Sequence, residues 1–310
     1  MNLYHPARVV SALVIAAIFV AGCGGAPKLA NRTSAELFAM GKEKFDKKKY
    51  FQSILIFQNL VYSHAGDPVV DTAQYYLGMS YYRNGEYQLA TAEFNRLLVN
   101  YPSSPFAEES QFMRAASAYE SAPKNFGLDQ TELDPAMKQL DDFVTDHPES
   151  PLVASAREYI LRGKTRLARK YYDAAIVYVR LESYKAAGIY FQRVVDDYID
   201  TDYGPRATFM IAEDEFKLGH FDVARDKFTV FTKVFPKHPW VVKANQRVAE
   251  AAYRFGLAAF DAGDFDRARE RFQAFVSDFP DHPRNKKAQA YLARLKDLSG
   301  DKSQAGKADS

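Results

Sequence analysis

Apolar and small residues recur at three- and four-residue spacing along most of the chain. The clearest stretch runs from Asp71 to Pro105. It predicts two amphipathic helices on either side of Asn84-Gly85. Leu77, Gly78 and Tyr81 share one face of the first helix. Ala90, Phe94 and Leu97 share one face of the second, which ends at Tyr101-Pro102. Gly78 and Ala90 are small enough to let two helix backbones approach closely, and Tyr81, Tyr87 and Phe94 fill the space around that approach. The same pattern fits Ser34 to Pro68, with Met40, Gly41, Tyr50, Ser53, Phe57 and Leu60 in the corresponding positions and Thr33 or Ser34 as N-cap. It fits again from Phe106, with Ala115, Ala116 and Tyr119, then Ala136, Leu140 and Phe143 before His147-Pro148. A fourth match holds Ala174, Ala175, Tyr178, Tyr184, Ala187, Phe191 and Val194. Here Ile199 stands where the closing Pro is expected, and Ser183 where the turn Gly is expected. The fifth holds Ile211, Ala212, Gly219, Phe221, Ala224 and Phe228, and the sixth Phe255, Gly256, Gly263, Phe265, Ala268 and Phe272. Asn285 to Leu298 predicts one last amphipathic helix, and no stretch alternates as a strand would.

A helix-turn-helix unit with these small and large positions resembles the tetratricopeptide repeat, whose period is about 34 residues. The expected fold is therefore all-α: a superhelix (α-solenoid) of about six helix-turn-helix units, closed by the C-terminal helix as a cap. The expected segments are residues 34–151 for repeats 1–3, with an insertion at 121–135, and 152–239 for a long helix and repeats 4–5. Residues 240–298 hold an additional sixth repeat and the cap, and 299–310 a polar, disordered tail.

The N-terminus changes the picture from a free scaffold to an anchored one. Arg8 is followed by an uncharged apolar run from Val9 to Val20, too short for a comfortable span and suited to a signal peptide over residues 1–22. The run ends in Val20-Ala21-Gly22-Cys23, which resembles a bacterial lipobox, and Cys23 is the single Cys of the chain. The resemblance implies a diacylglyceryl group on the Cys23 sulfur and an N-acyl chain, with no other cofactor. Two such chains meet the requirement for stable attachment. Gly24 rather than Asp follows Cys23, which permits the outer membrane. Residues 23–33 then form a small-residue tether.

Composition removes whole classes of function. The net charge of +2 gives no footprint for nucleic acid. One Cys excludes an internal disulfide framework. The six His are scattered, and His147, His238 and His282 each precede a Pro in equivalent repeat-closing turns, so neither a metal site nor a catalytic base is indicated. Asp141-Asp142 and Asp196-Asp197 are adjacent on helices and point apart. No nucleophile stands with a base, so the chain reads as a non-enzyme. What remains is surface. Residues of the first helices outside the packing positions are expected to line a concave groove: Phe38, Lys42 and Phe45, then Tyr75, Met79, Tyr82 and Arg83, then Met113. An extended peptide fits such a groove, its aromatic side chains in pockets and a carboxylate near the cations.

The lipobox, the tether, the long third turn with Asp129-Gln130-Thr131 and Pro135-Ala136, the helix ending His147-Pro148-Glu149-Ser150-Pro151, and the later Phe191 to Tyr198 together resemble the BamD family of outer-membrane β-barrel assembly lipoproteins. The resemblance spans roughly Leu37 to Pro239. It implies a lipid-anchored protein facing the periplasm from the outer membrane. The N-terminal repeats would recognise unfolded outer-membrane proteins, and Tyr184 to Pro239 would dock on the periplasmic domains of the barrel subunit beside its accessory lipoproteins. The family usually has five repeats, so the sixth is a departure. Another periplasmic repeat lipoprotein, such as a secretin pilot or an adaptor for cell division or a peptidoglycan enzyme, shares the anchor and the repeats without requiring the third-repeat insertion.

Overall fold

A computed structural model describes Leu29 and Asn31–Ala308, with side chains as far as Leu298. The signal segment, Cys23 and most of the tether lie outside the described residues. Among the described residues every regular element is a helix: α1 (Ser34–Asp46), α2 (Tyr50–Ser63), α3 (Val70–Asn84), α4 (Tyr87–Asn100), α5 (Ala107–Ser121), α6 (Leu133–Asp146), α7 (Val153–Arg180), α8 (Tyr184–Tyr198), α9 (Tyr203–Lys217), α10 (Phe221–Val234), α11 (Val241–Asp261), α12 (Phe265–Asp278) and α13 (Asn285–Ala308). None of them is long and apolar enough to cross a membrane.

The hairpins form for the reasons their spacing suggests. Thr33 caps α1 in a reciprocal box: its hydroxyl accepts from the Glu36 amide at 3.3 Å, and the Glu36 carboxylate accepts from the Thr33 amide at 2.9 Å. Ala90, Ala187, Ala224 and Ala268 are fully buried, as are Phe57, Phe94, Phe228 and Phe272. A Cβ built on Gly41, Gly78 or Gly256 would lie 2.7–2.9 Å from the ring of Phe57, Phe94 or Phe272 respectively. The three glycines thus let one helix close on a phenylalanine of its partner.

The inter-helix turns share a left-handed residue two positions before the second helix. It is Gly85, Gly219 or Gly263, with φ between 77° and 83°, where glycine meets no steric penalty. In the first and fourth hairpins the same position holds Lys48 (φ 57°) and Glu182 (φ 56°). Ser183 therefore does not replace the turn glycine, as the sequence reading has it; Glu182 does. Ser183 is the N-cap of α8, and its amide donates to the Tyr178 carbonyl at 2.9 Å. The equivalent amide of Glu86 donates to the Tyr81 carbonyl, also at 2.9 Å. The missing Pro at Ile199 also has a physical substitute. Thr201 bonds back to the Tyr198 carbonyl through its hydroxyl at 2.7 Å, and Gly204 packs against the Ile199 carbonyl, where any side chain would collide.

The chain separates into two compact units. One comprises the residues up to 121 with 145–152, in which α1 to α5 each pack on the next. The other comprises 122–144 and 153 onward, in which α7 to α13 do the same. This differs from the expected division after residue 151. The insertion and most of α6 go with the long helix, because the insertion is built onto it. The Arg169 guanidinium lies 4.1 Å from the Phe126 ring centre, and Arg166 donates to the Ala122 carbonyl at 3.4 Å. Repeats 4 to 6 and the last helix all fall in the second unit.

A second difference lies at the C-terminus. The helix expected to stop at Leu298 continues to Ala308, through residues expected to be a disordered tail. The added stretch contains no Pro, and its Lys302, Gln304, Ala305, Lys307 and Ala308 are good helix formers. Asp309 and Ser310 lie outside the described residues.

Candidate functional site

The first unit gathers aromatic rings between its first helices. Their centre is Tyr76 on α3, which the sequence reading does not single out. Phe38 and Phe45 of α1 meet its ring edge-on at 5.9 and 5.3 Å, and Phe57 of α2 stacks on it at 5.8 Å. Phe38 and Phe45 lie seven residues apart on one face of α1, and both meet Tyr76.

Several expected groove residues serve this packing instead. Tyr75 is buried, stacked on Phe106 at 4.4 Å, and its hydroxyl donates to Glu109 at 2.5 Å. Burial, and then the bond to Glu109, push its phenol pKa well up. Met79 and Met113 are buried too. The reason is geometric: an internal first helix has a neighbour on each side, so residues flanking the groove positions are covered by that neighbour. Lys42 is not a free cation either. Its amine bonds both oxygens of Asp46, at 2.6 and 2.8 Å, and lies 5.4 Å from the Tyr76 ring centre. Phe38, Phe45 and Tyr82 remain half-buried, and Arg83 is exposed near the end of α3. Tyr82 meets Tyr87 edge-on at 5.4 Å. The structure thus brings Phe38, Lys42 and Phe45 together around Tyr76, with Tyr82 and Arg83 near the C-terminal end of α3, and withdraws Tyr75, Met79 and Met113 into the core.

The insertion is organised by one amide. Gln130 is buried, and its side-chain nitrogen lies 3.0–3.3 Å from the carbonyls of Pro123, Asn125, Leu128 and Asp129. Asx turns, in which the Gly127 amide donates to Asn125 Oδ1 and the Thr131 amide to Asp129 Oδ1, fix the bends on either side. The loop is therefore a folded element, presented on α7 by Phe126 and Arg169.

The repeat-closing histidines are turn parts. The ring nitrogens of His238 and His282 accept the amides of Trp240 and Arg284 at 3.1 and 3.2 Å, and their rings pack on Phe231 and Phe275. Burial, then the charge of Arg206, hold His238 below its ordinary pKa, which suits an acceptor nitrogen. His147 instead pairs its Nε2 with Gln111 at 2.9 Å. Of the acidic pairs, Asp142 is held by Lys138, Asp196 by Gln192 and Asp197 by Arg193. No group of three or more His, Cys, Asp or Glu that could hold a metal occurs among the described residues.

Comparison with known proteins gives this arrangement a family. Residues 30–230 match the YfiO model, described as an outer membrane lipoprotein, and residues 253–308 match a tetratricopeptide-repeat model. The chain is 24% identical over 245 residues to outer membrane protein assembly factor BamD of Caulobacter vibrioides, covering 77% of this chain and 80% of the relative. It is 22% identical over 235 residues to the factor of the same name from Rickettsia prowazekii, covering 75% and 93%. Among solved structures, the TPR2AB-domain:pHSP90 complex of yeast Sti1 aligns with a TM-score of 0.42 at 12% identity, over 85% of this chain and 98% of that one. The YfiO match takes in the first five hairpins as far as α10, including the insertion and the long helix, and on that extent the chain belongs to the YfiO family of outer membrane lipoproteins.

Proposed function

We propose that this chain is a non-enzymatic scaffold and receptor in outer-membrane protein assembly, anchored through lipid on Cys23 and facing the periplasm. The observation that carries the reading is the family match over residues 30–230, joined to relatives named as assembly factors along most of their own length. The side chains support it. Phe57, Tyr75, Phe228 and Phe272 are spent on packing, Thr33 and Glu36 on a cap, and Lys42 and Arg193 on helix-surface pairs, while exposed side chains on both units leave surface that another polypeptide can use. The N-terminal unit offers the edges of Phe38, Phe45 and Tyr76, with Tyr82 and Arg83, to aromatic-rich segments of unfolded outer-membrane proteins. Tyr184 to Pro239 offers the docking face for the barrel subunit and its accessory lipoproteins. Depletion of the chain in its own host tests the role: folded, heat-modifiable outer-membrane proteins should fall before growth stops. Unchanged levels of those proteins at full depletion would overturn the reading.

A further inference from the structure

The second unit carries a groove between α8 and α10, floored by α9. Two joined cavities of about 580 and 440 Å³ share Gln192, Ile211 and Lys227. Its flanks are apolar and exposed: Ile189 of α8 is 73% accessible and Val230 of α10 is 52%. At one end lies Asp214, only 4% accessible, whose Oδ2 has no hydrogen-bond partner. The equivalent position is Ser80 in α3, Ala118 in α5, Val177 in α7 and Ala258 in α11; in α1 it is Glu43, which is exposed and paired with Lys47 rather than buried. Packing of the repeat therefore does not ask for a carboxylate here, and burying one without a partner destabilises the fold. Cations stand close without closing on it. Lys185 and Lys227 line the same space yet form no ion pair with Asp214, and Arg193 is held by Asp197 at 2.7 Å.

We propose that this groove receives a segment of a partner polypeptide that presents one arginine or lysine to Asp214 and apolar side chains to Ile189, Ile211 and Val230. A basic head supplies the charge-assisted hydrogen bond that Oδ2 lacks, and its aliphatic stem lies along Ile211. The occupant is a polypeptide segment, not a small cation, because the exposed apolar flanks extend the site beyond the reach of a single side chain. The inference deepens the docking reading for Tyr184 to Pro239 and rests on it.

The test uses the detergent-solubilised full chain and a labelled peptide of leucines and valines with one central arginine, against the same peptide with norleucine in its place. The arginine peptide should bind about ten-fold tighter, the effect of one charge-assisted bond. Asp214→Asn should erase that difference. Gly188→Trp should block both peptides, since Gly188 lines the groove with open space above it. Equal binding of the two peptides, a preference that survives in Asp214→Asn, or no binding of either overturns the proposal. Recovery of the barrel subunit on the same chains separates the two readings. If the wild-type chain recovers it but shows no arginine preference, the basic-anchor proposal falls and the docking reading stands; if the wild-type chain fails to recover it, the docking reading itself falls.

Discussion

A methyl group added at Gly78 would land 2.7 Å from the Phe94 ring, inside van der Waals distance. Gly78→Ala should therefore destabilise the first unit by about 1–3 kcal/mol, the usual cost of overpacking, and lower its melting temperature; an unchanged melting curve would refute the close approach. Lys48 poses the opposite case. It holds a left-handed conformation at a position that is glycine in three other hairpins, so Lys48→Gly should stabilise by about 0.5–1 kcal/mol in chemical denaturation. Asp214 gives a pH signature. Burial, then the charges of Glu213 and Glu215, push its pKa up to about 7 from the ordinary 3.8. The unfolded carboxyl ionises first, so the folded state loses stability as pH rises across that window, and the loss is complete above it. Asp214→Asn should then be more stable than the parent at pH 8, by about 2–4 kcal/mol in chemical denaturation, with the gap closing below about pH 4. A gap that does not change with pH would show that the carboxyl is not buried as described.

At the scale of elements, the small and large positions were legible because each is a one-residue consequence of two helices crossing at close range. Spacing named Gly78 and Phe94 as small and large positions but set Gly78 against Ala90; in the structure the ring of Phe94 is what Gly78 meets. The turns were less legible. The left-handed position in the fourth hairpin is Glu182, at the same distance before its second helix as Gly85, and it was passed over for Ser183 because a glutamate does not look like a turn residue. The groove was legible only in part. Helical periodicity says which residues leave the hairpin core, but not that the neighbouring first helix then covers Tyr75, Met79 and Met113. Tyr76 was missed for the same reason, since its partners lie on other helices. The insertion was visible as added length, whereas its folding around Gln130 was not, because one amide meeting four carbonyls has no sequence pattern. Gln130→Ala should leave the global melting of the protein nearly unchanged while exposing residues 123–129 to protease and fast amide exchange; equal protection in parent and variant would remove Gln130 from that role.

At the scale of the molecule, what the protein does depends on where the chain is held and what it holds. Cys23→Ser should abolish incorporation of labelled fatty acid into the chain, because the acylated sulfur is gone; undiminished labelling of that variant would contradict the lipid anchor. The repeats themselves are a generic binding architecture, and the sixth, α11 and α12, adds surface beyond the YfiO match together with the last helix, α13. The most direct measurement is purification of the tagged full chain from solubilised outer membranes, followed by mass spectrometry of what comes with it. The account predicts stoichiometric recovery of the large barrel subunit of outer-membrane protein assembly. Its absence, with a secretin or a peptidoglycan enzyme recovered in its place, would contradict the account.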